Sequence, residues 1–167
     1  MICPYINQTL NNYLQLLTTR FPMSLLFMRD KHLSAHQLAP DLLLLEVSFS
    51  DIDQVLELRC KVKYPDLLIQ KAELDFPIAP HETCHQAEAN IANLVGVTIQ
   101  RGYNQLIKEL LGGQTGCVHM VDLAIEIGHL AYQAKFKMQG RKQELQTEEQ
   151  RLAYFPDVLA GQCVAYA

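Results

Sequence analysis

The sequence contains no tryptophan, and charged residues make up only 19% of it, against 49% hydrophobic residues. This composition excludes an intrinsically disordered chain, which would be rich in charge and poor in apolar residues. The 18 acidic residues outnumber the 14 basic ones, so the chain lacks the basic surface with which non-specific nucleic-acid-binding proteins contact phosphates. We therefore expect a globular protein with no nucleic-acid partner.

Long apolar runs are missing as well. The run Leu42 to Leu45 is far shorter than the roughly 20 apolar residues that span a membrane. The first residues, Met1 to Pro4, lack the basic region and apolar core of a signal peptide. These features favour a cytoplasmic protein without a membrane partner. They leave the oligomeric state open, with a homo-oligomer as one outcome.

The cysteines do not form a disulfide framework, because their number is odd and no two of them stand in a CxxC pair. A reducing compartment suits them. The five are Cys3, Cys60, Cys84, Cys117 and Cys163.

The order of periodicities along the chain predicts an α+β fold in a single domain, residues 1–167. Apolar residues recur at helical spacing over residues 1–20, follow a strand pattern over 24–76 and return to helical spacing over 84–155. Residues 156–167 are mostly apolar and are expected to pack as a tail. We predict a small antiparallel β-meander packed against three or four helices.

The meander is expected from about Leu42 to Phe76, where apolar and polar residues alternate as in strands with one buried face. Cys60 falls on the apolar side and is interpreted as a core residue. His32 and His36 precede this region and are assigned to a polar connector at the surface.

Three helices are predicted after the meander. Thr83 and Gln86 form a capping-box pattern, which places a helix start at Cys84. A short second helix covers Tyr103 to Leu111, and a third runs from near Cys117 to about Gly140.

A glycine-rich loop, residues 112–116, leads directly into Cys117. The N-terminus of a helix carries partial positive charge and free N–H groups, which stabilise a thiolate. Cys117 and His119 are therefore candidate catalytic residues, and Gly113 and Gly116 are candidates for contacting a bound molecule. The loop is not a phosphate-binding P-loop, since no Lys-Ser/Thr pair follows it.

These residues resemble the DUF2889 family of uncharacterised bacterial proteins, which typically carries a Gly-Cys-Thr-His-Leu motif here. Val118 and Met120 stand where that motif has Thr and Leu. The resemblance covers about residues 42–167 and supports the alignment of Cys84, Cys117 and Cys163 with cysteines of the family, without implying an activity. It rests on Leu94-Val95-Gly96, Leu111-Gly112-Gly113, Gly116-Cys117-Val118-His119-Met120, Pro80-His81-Glu82-Thr83-Cys84 and Gly161-Gln162-Cys163-Val164-Ala165-Tyr166.

Three thiols and one imidazole could hold zinc or an iron–sulfur cluster. The candidate ligands are Cys84, Cys117, His119 and Cys163. Residues two apart in a regular helix point in nearly opposite directions, so Cys117 and His119 can converge only if Cys117 lies before the first turn. Two alternatives remain open: a reactive Cys117 that contacts a small anionic or electrophilic substrate, and an interaction domain with structural cysteines.

A polar stripe follows the third helix at helical spacing: His119, Asp122, Glu126 and His129. The pair Glu126-x-x-His129 matches the ligand pair of di-iron helix bundles, but the sequence has no second pair. We interpret the stripe as a solvated helix face. His81 and His85 flank Cys84, which makes a second Cys–His pair conceivable.

Overall fold

A computed structural model describes residues 25–142, 147, 149–150 and 153–154. These residues form one four-stranded antiparallel sheet in the order β1-β2-β3-β4, followed by three helices. The strands are β1 (Arg29–Ala39), β2 (Leu42–Asp51), β3 (Val55–Lys63) and β4 (Leu68–Ile78). The helices are a 3₁₀ helix (Glu82–Leu94), α1 (Tyr103–Leu111) and α2 (Val118–Lys142). The predicted α+β class and the antiparallel meander are confirmed.

The two central strands follow the pattern that the sequence predicts. Alternate residues of β2 and β3 point into the core, and the residues between them are only partly buried, as a period of two residues requires. The buried set consists of Leu43, Leu45, Val47, Phe49, Leu56, Leu58, Cys60 and Val62. Cys60 is therefore a core residue, as predicted.

The segment assigned to a polar connector is in fact the edge strand β1. It pairs with β2 from Arg29 opposite Asp51 to Ala39 opposite Leu42, so His32 and His36 lie in a strand. The sequence pattern hid this strand because most of its residues are exposed, and an edge strand has fewer buried positions to reveal its period.

The first helix differs from the prediction in both its type and its start. It begins at Glu82 and is a 3₁₀ helix, and its N-terminal cap is His81, with no side-chain hydrogen bond at the cap. The prediction that Thr83 and Gln86 form a capping box, with the helix starting at Cys84, is therefore wrong. The turn is closed by the backbone, since the N–H of Cys84 donates to the carbonyl of His81 at 3.0 Å.

The helices cover one face of the sheet. The 3₁₀ helix packs on β4, while α2 lies across β1, β2 and β3 and packs against α1. The contact between α1 and α2 is close at Gly128, where a Cβ atom would lie 2.7 Å from the Tyr103 ring. The Tyr103 hydroxyl donates to the Ala124 carbonyl at 3.0 Å. No helix among the described residues is long and apolar enough to cross a membrane.

Candidate functional site

Cys117 lies immediately before the first turn of α2. Its carbonyl accepts the N–H of Val121 at 3.1 Å, and its own N–H donates to the carbonyl of Leu111 at 2.9 Å. This is the N-cap position, where the side chain is free of the helical spacing. The condition for convergence is met: the Cys117 Sγ and the His119 Nδ1 are 3.9 Å apart, within reach of a weak sulfur hydrogen bond.

The glycine loop brings the chain to this position through close backbone contacts. A Cβ atom on Gly116 would lie 2.1 Å from the Leu111 carbonyl oxygen, and Gly113 has a φ of +80°. From the 3₁₀ helix, the Asn90 amide donates to the Thr115 carbonyl at 2.8 Å. The glycines therefore shape the approach to Cys117, and their contact with a bound molecule stays a prediction.

The third member of the site comes from the turn between β2 and β3. The side-chain amide of Gln54 lies 3.0 Å from the His119 Nε2. Gln54 is only 6% exposed, although it is polar. The imidazole of His119 is thus held between the sulfur of Cys117 on one side and the amide of Gln54 on the other. The ring also packs against Phe49, with the ring centroids 5.4 Å apart.

Asp51 organises the turn that carries Gln54. One of its carboxylate oxygens accepts the backbone N–H groups of Asp53 and Gln54, both at 3.0 Å, and the other accepts the Arg29 guanidinium. Burial by itself would raise the pKa of Asp51, but the hydrogen bonds from Asp53, Arg29 and Gln54 outweigh burial and lower it. Arg29 also stacks on Phe49, with its Cζ 4.1 Å from the ring centroid. Asp51 and Arg29 therefore join this turn to β1 and to the Phe49 ring.

Burial lowers the pKa of His119 below the ordinary histidine value of 6.5, and the Arg29 cation lowers it further. The carboxylates of Asp51 and Asp122 act in the opposite direction without cancelling the effect. The imidazole is consequently neutral at pH 7. A neutral ring has one donor nitrogen and one acceptor nitrogen.

Cys84 is half-buried in the first turn of the 3₁₀ helix and packs against the core. The ring of its neighbour His85 makes a hydrogen bond with the Glu88 carboxylate and an edge contact with the Phe76 ring. His81 forms the backbone cap of the helix. The expected pairing of Cys84 with a flanking histidine thus has no support from the contacts of His85.

The predicted metal ligands are only partly brought together. Cys117 and His119 are in contact, but no three His, Cys, Asp or Glu side chains in the described part of the chain form a group that could hold a metal ion. Cys163 lies outside the described residues. The ligand set Cys84, Cys117, His119 and Cys163 therefore stays a prediction.

The polar stripe is a partly solvated face that also contacts the edge strand. Asp122 and Glu126 both accept hydrogen bonds from Lys31 of the edge strand, each at 3.0 Å. The side chains of Asp122 and His129 are 39% and 58% exposed, that of Glu126 is 26% exposed, and His129 contacts Glu126. The stripe therefore joins α2 to β1.

Sequence reasoning missed Gln54, Asp51 and Arg29. Asp51 was recognisable as a turn residue, but Gln54 stands 65 positions before His119. The available signal was a glutamine directly preceding an alternating strand, which by itself does not distinguish a buried residue from an exposed one.

Fold and site together define an α+β protein with a cysteine–histidine pair at the start of its longest described helix, supported by a buried glutamine. A family model described as "Protein of unknown function (DUF2889)" matches residues 31–133, which is more than half of the chain. The chain belongs to the DUF2889 family. The match contains Gln54, Cys84, Cys117 and His119, and ends before Cys163. No curated protein and no solved structure matches the chain significantly.

Proposed function

We propose that this protein is a cysteine-dependent enzyme or small-molecule-binding protein in which the thiolate of Cys117 attacks an electrophilic substrate. The observation that carries the proposal is the chain of contacts from Cys117 through His119 to Gln54. A cysteine nucleophile needs a group that favours the thiolate and a third group that orients it. His119 is the group that favours the thiolate, and Gln54 is the third group, which orients His119.

Two further features support a nucleophilic thiolate. Cys117 is at the positive end of α2, a helix of 25 residues, where the free N–H groups of the first turn favour a negative charge. The nearest His119 nitrogen either donates to the thiolate or accepts the thiol proton, and both interactions favour the charged sulfur. Cys60 differs in this respect, because burial raises the pKa of its thiol to about 12.

Metal binding is the alternative function, with zinc or an iron–sulfur cluster held by Cys84, Cys117, His119 and Cys163. Its supporting observation is the contact between Cys117 and His119, two residue types that bind zinc. The same contact serves the nucleophile, which requires no third ligand. We therefore favour the nucleophile. A reducing cytoplasm would suit either function, and that location stays a prediction.

The test compares the alkylation rates of the cysteines in the full chain. In the reaction with iodoacetamide, the thiolate sulfur forms an S–C bond while iodide leaves with the electron pair of the C–I bond. Mass spectrometry of the digested protein follows each cysteine separately. We expect Cys117 to react at least about tenfold faster than Cys84, which corresponds to about 1.4 kcal/mol of activation free energy.

Cys84 is the matched control, because it is also half-buried and also lies at the start of a helix. Equal rates at Cys84 and Cys117 would contradict the nucleophile. Metal analysis of the purified protein, before and after a chelator, tests the alternative. A stoichiometric metal whose removal exposes Cys84, Cys117 and Cys163 to alkylation together would favour the metal site.

A further inference from the structure

His119 has a defined partner at each of its two ring nitrogens. Nδ1 faces the sulfur of Cys117 at 3.9 Å, and Nε2 faces the side-chain amide nitrogen of Gln54 at 3.0 Å. A neutral imidazole carries its proton on one nitrogen and accepts at the other. The position of this single proton decides whether His119 donates to the sulfur or accepts from it.

The backbone of Gln54 is held beside the ring by hydrogen bonds within the turn. Its backbone N–H donates to the Asp51 carboxylate and its carbonyl accepts the Asp51 N–H, both at 3.0 Å. The Arg29 guanidinium holds the second carboxylate oxygen of Asp51. Since Gln54 is also 94% buried, leaving the imidazole would cost its amide a hydrogen bond that solvent does not readily replace.

An amide nitrogen donates hydrogen bonds and does not accept them. The nitrogen of Gln54 next to Nε2 therefore requires Nε2 to be the acceptor, which leaves the ring proton on Nδ1. The charged groups around the ring are Arg29 from β1, Asp51 from β2 and Asp122 from α2. The direct hydrogen bond at Nε2 comes from the neutral Gln54.

We propose that Gln54 is a positioning residue that fixes His119 as the tautomer with its proton on Nδ1, directed at the sulfur of Cys117. The consequence for reactivity rests on the proposed function. In this form His119 stabilises the thiolate by donating to it, and the thiol proton leaves to water or buffer instead of moving to Nδ1.

The test is ¹⁵N NMR of the histidine-labelled full chain at about pH 8, where a histidine of ordinary or lowered pKa is neutral. Long-range ¹H–¹⁵N spectra distinguish a protonated ring nitrogen from a bare one, and His119→Ala identifies the signals of His119. We expect the wild-type ring to carry its proton on Nδ1. In Gln54→Glu the carboxylate can only accept, so we expect a proton on Nε2. Gln54→Met removes the hydrogen bond and should give a mixture of tautomers.

Gln133 provides the matched controls, because it is an exposed glutamine on the same helix as His119. Gln133→Glu and Gln133→Met should leave the His119 spectrum unchanged. A wild-type ring with its proton on Nε2, or a Gln54→Glu ring that keeps it on Nδ1 alone, would overturn the proposal. The wild-type spectrum decides even if Gln54→Met does not fold.

The two proposals fail in different measurements. A proton on Nδ1 together with equal alkylation of Cys84 and Cys117 would remove the proposed function and leave the tautomer assignment standing. Fast alkylation of Cys117 with the proton on Nε2 would retain the nucleophile and make His119 its base.

Discussion

In the part of the chain that the structure describes, two helices begin beside a cysteine, and the surroundings of the two thiols differ. Cys84 lies within the first turn of the 3₁₀ helix, and its neighbour His85 pairs with Glu88. Cys117 lies before the first turn of α2, in contact with His119. The position at a helix start is therefore not what distinguishes Cys117. The difference comes from a histidine two residues later and from Gln54, which a distant turn supplies.

The comparison also shows why a strong local signal was not sufficient. Both cysteines stood at predicted helix starts, and both had histidines nearby in sequence. A histidine adjacent to a cysteine in a regular turn points elsewhere, whereas one placed two residues after an N-cap can turn back towards the cap. The glycine loop before Cys117 makes that geometry accessible.

The largest expected change in stability comes from a substitution in the glycine-rich loop. This loop precedes α2, and no such loop precedes the 3₁₀ helix. In Gly116→Ala the new Cβ would collide with the Leu111 carbonyl oxygen, so we expect a loss of about 3 kcal/mol in the free energy of unfolding. Urea denaturation measures it. Gly113→Ala is the control. Its new Cβ would meet no atom within 4 Å, but Gly113 has a positive φ, so the free energy of unfolding should fall by only about 1 kcal/mol. Equal losses would contradict this account of the loop.

The second prediction removes the feature that separates the two cysteines. His119→Ala should slow the alkylation of Cys117 about tenfold, because the thiolate loses a hydrogen bond to its imidazole. The rate at Cys84 should not change. His129→Ala, an exposed histidine on the same helix, should affect neither rate. If His119→Ala leaves Cys117 as reactive as in the wild type, the helix N-terminus alone accounts for the reactivity.

The third prediction concerns acid and the turn that holds Gln54. The folded-state pKa of Asp51 is lowered because hydrogen bonds from Asp53, Arg29 and Gln54 outweigh burial. Its stabilising contribution is therefore present above the unfolded pKa of about 3.9 and is lost as the pH falls through the lower folded value. We expect the difference in unfolding midpoint between the wild type and Asp51→Asn to be clear at about pH 6 and to shrink towards about pH 2.

Asp53→Asn serves as the control for that series, since Asp53 contributes its backbone N–H to the turn. It should follow the wild type at each pH. A constant difference between Asp51→Asn and the wild type across the series would mean that the carboxylate charge does not stabilise the turn.

The smallest expected effect comes from the contact between the 3₁₀ helix and the glycine-rich loop before α2. Asn90→Ala removes a side-chain hydrogen bond to the Thr115 carbonyl and should cost about 0.5–1 kcal/mol, with a slight slowing at Cys117. Asn93→Ala removes a longer contact of 3.4 Å to the Leu110 carbonyl, and should cost less. The reverse order in a thermal unfolding series would show that Thr115 is not held from the 3₁₀ helix.

Sequence reasoning succeeded where the chain repeats a pattern with a buried face. The alternation in β2 and β3 predicted two central strands and the burial of Cys60. It failed at β1, where exposure removed the pattern, and at the cap of the 3₁₀ helix, where a backbone carbonyl took the place of the expected Thr83 side chain. In the site, it identified Cys117 and His119 but neither Gln54 nor Asp51.

The sequence by itself determined the α+β class, the antiparallel meander and the position of Cys117 at the start of a helix, because each of these depends on residues close together in the chain. Only the tertiary structure decided which nitrogen of His119 faces the sulfur, which residue engages the other nitrogen, and that Lys31 pairs with the stripe on α2. The contacts of Gln54 and Lys31 join residues 65 to 95 positions apart. They depend on how the helices pack across the sheet, and the spacing of residues along the chain does not predict that packing.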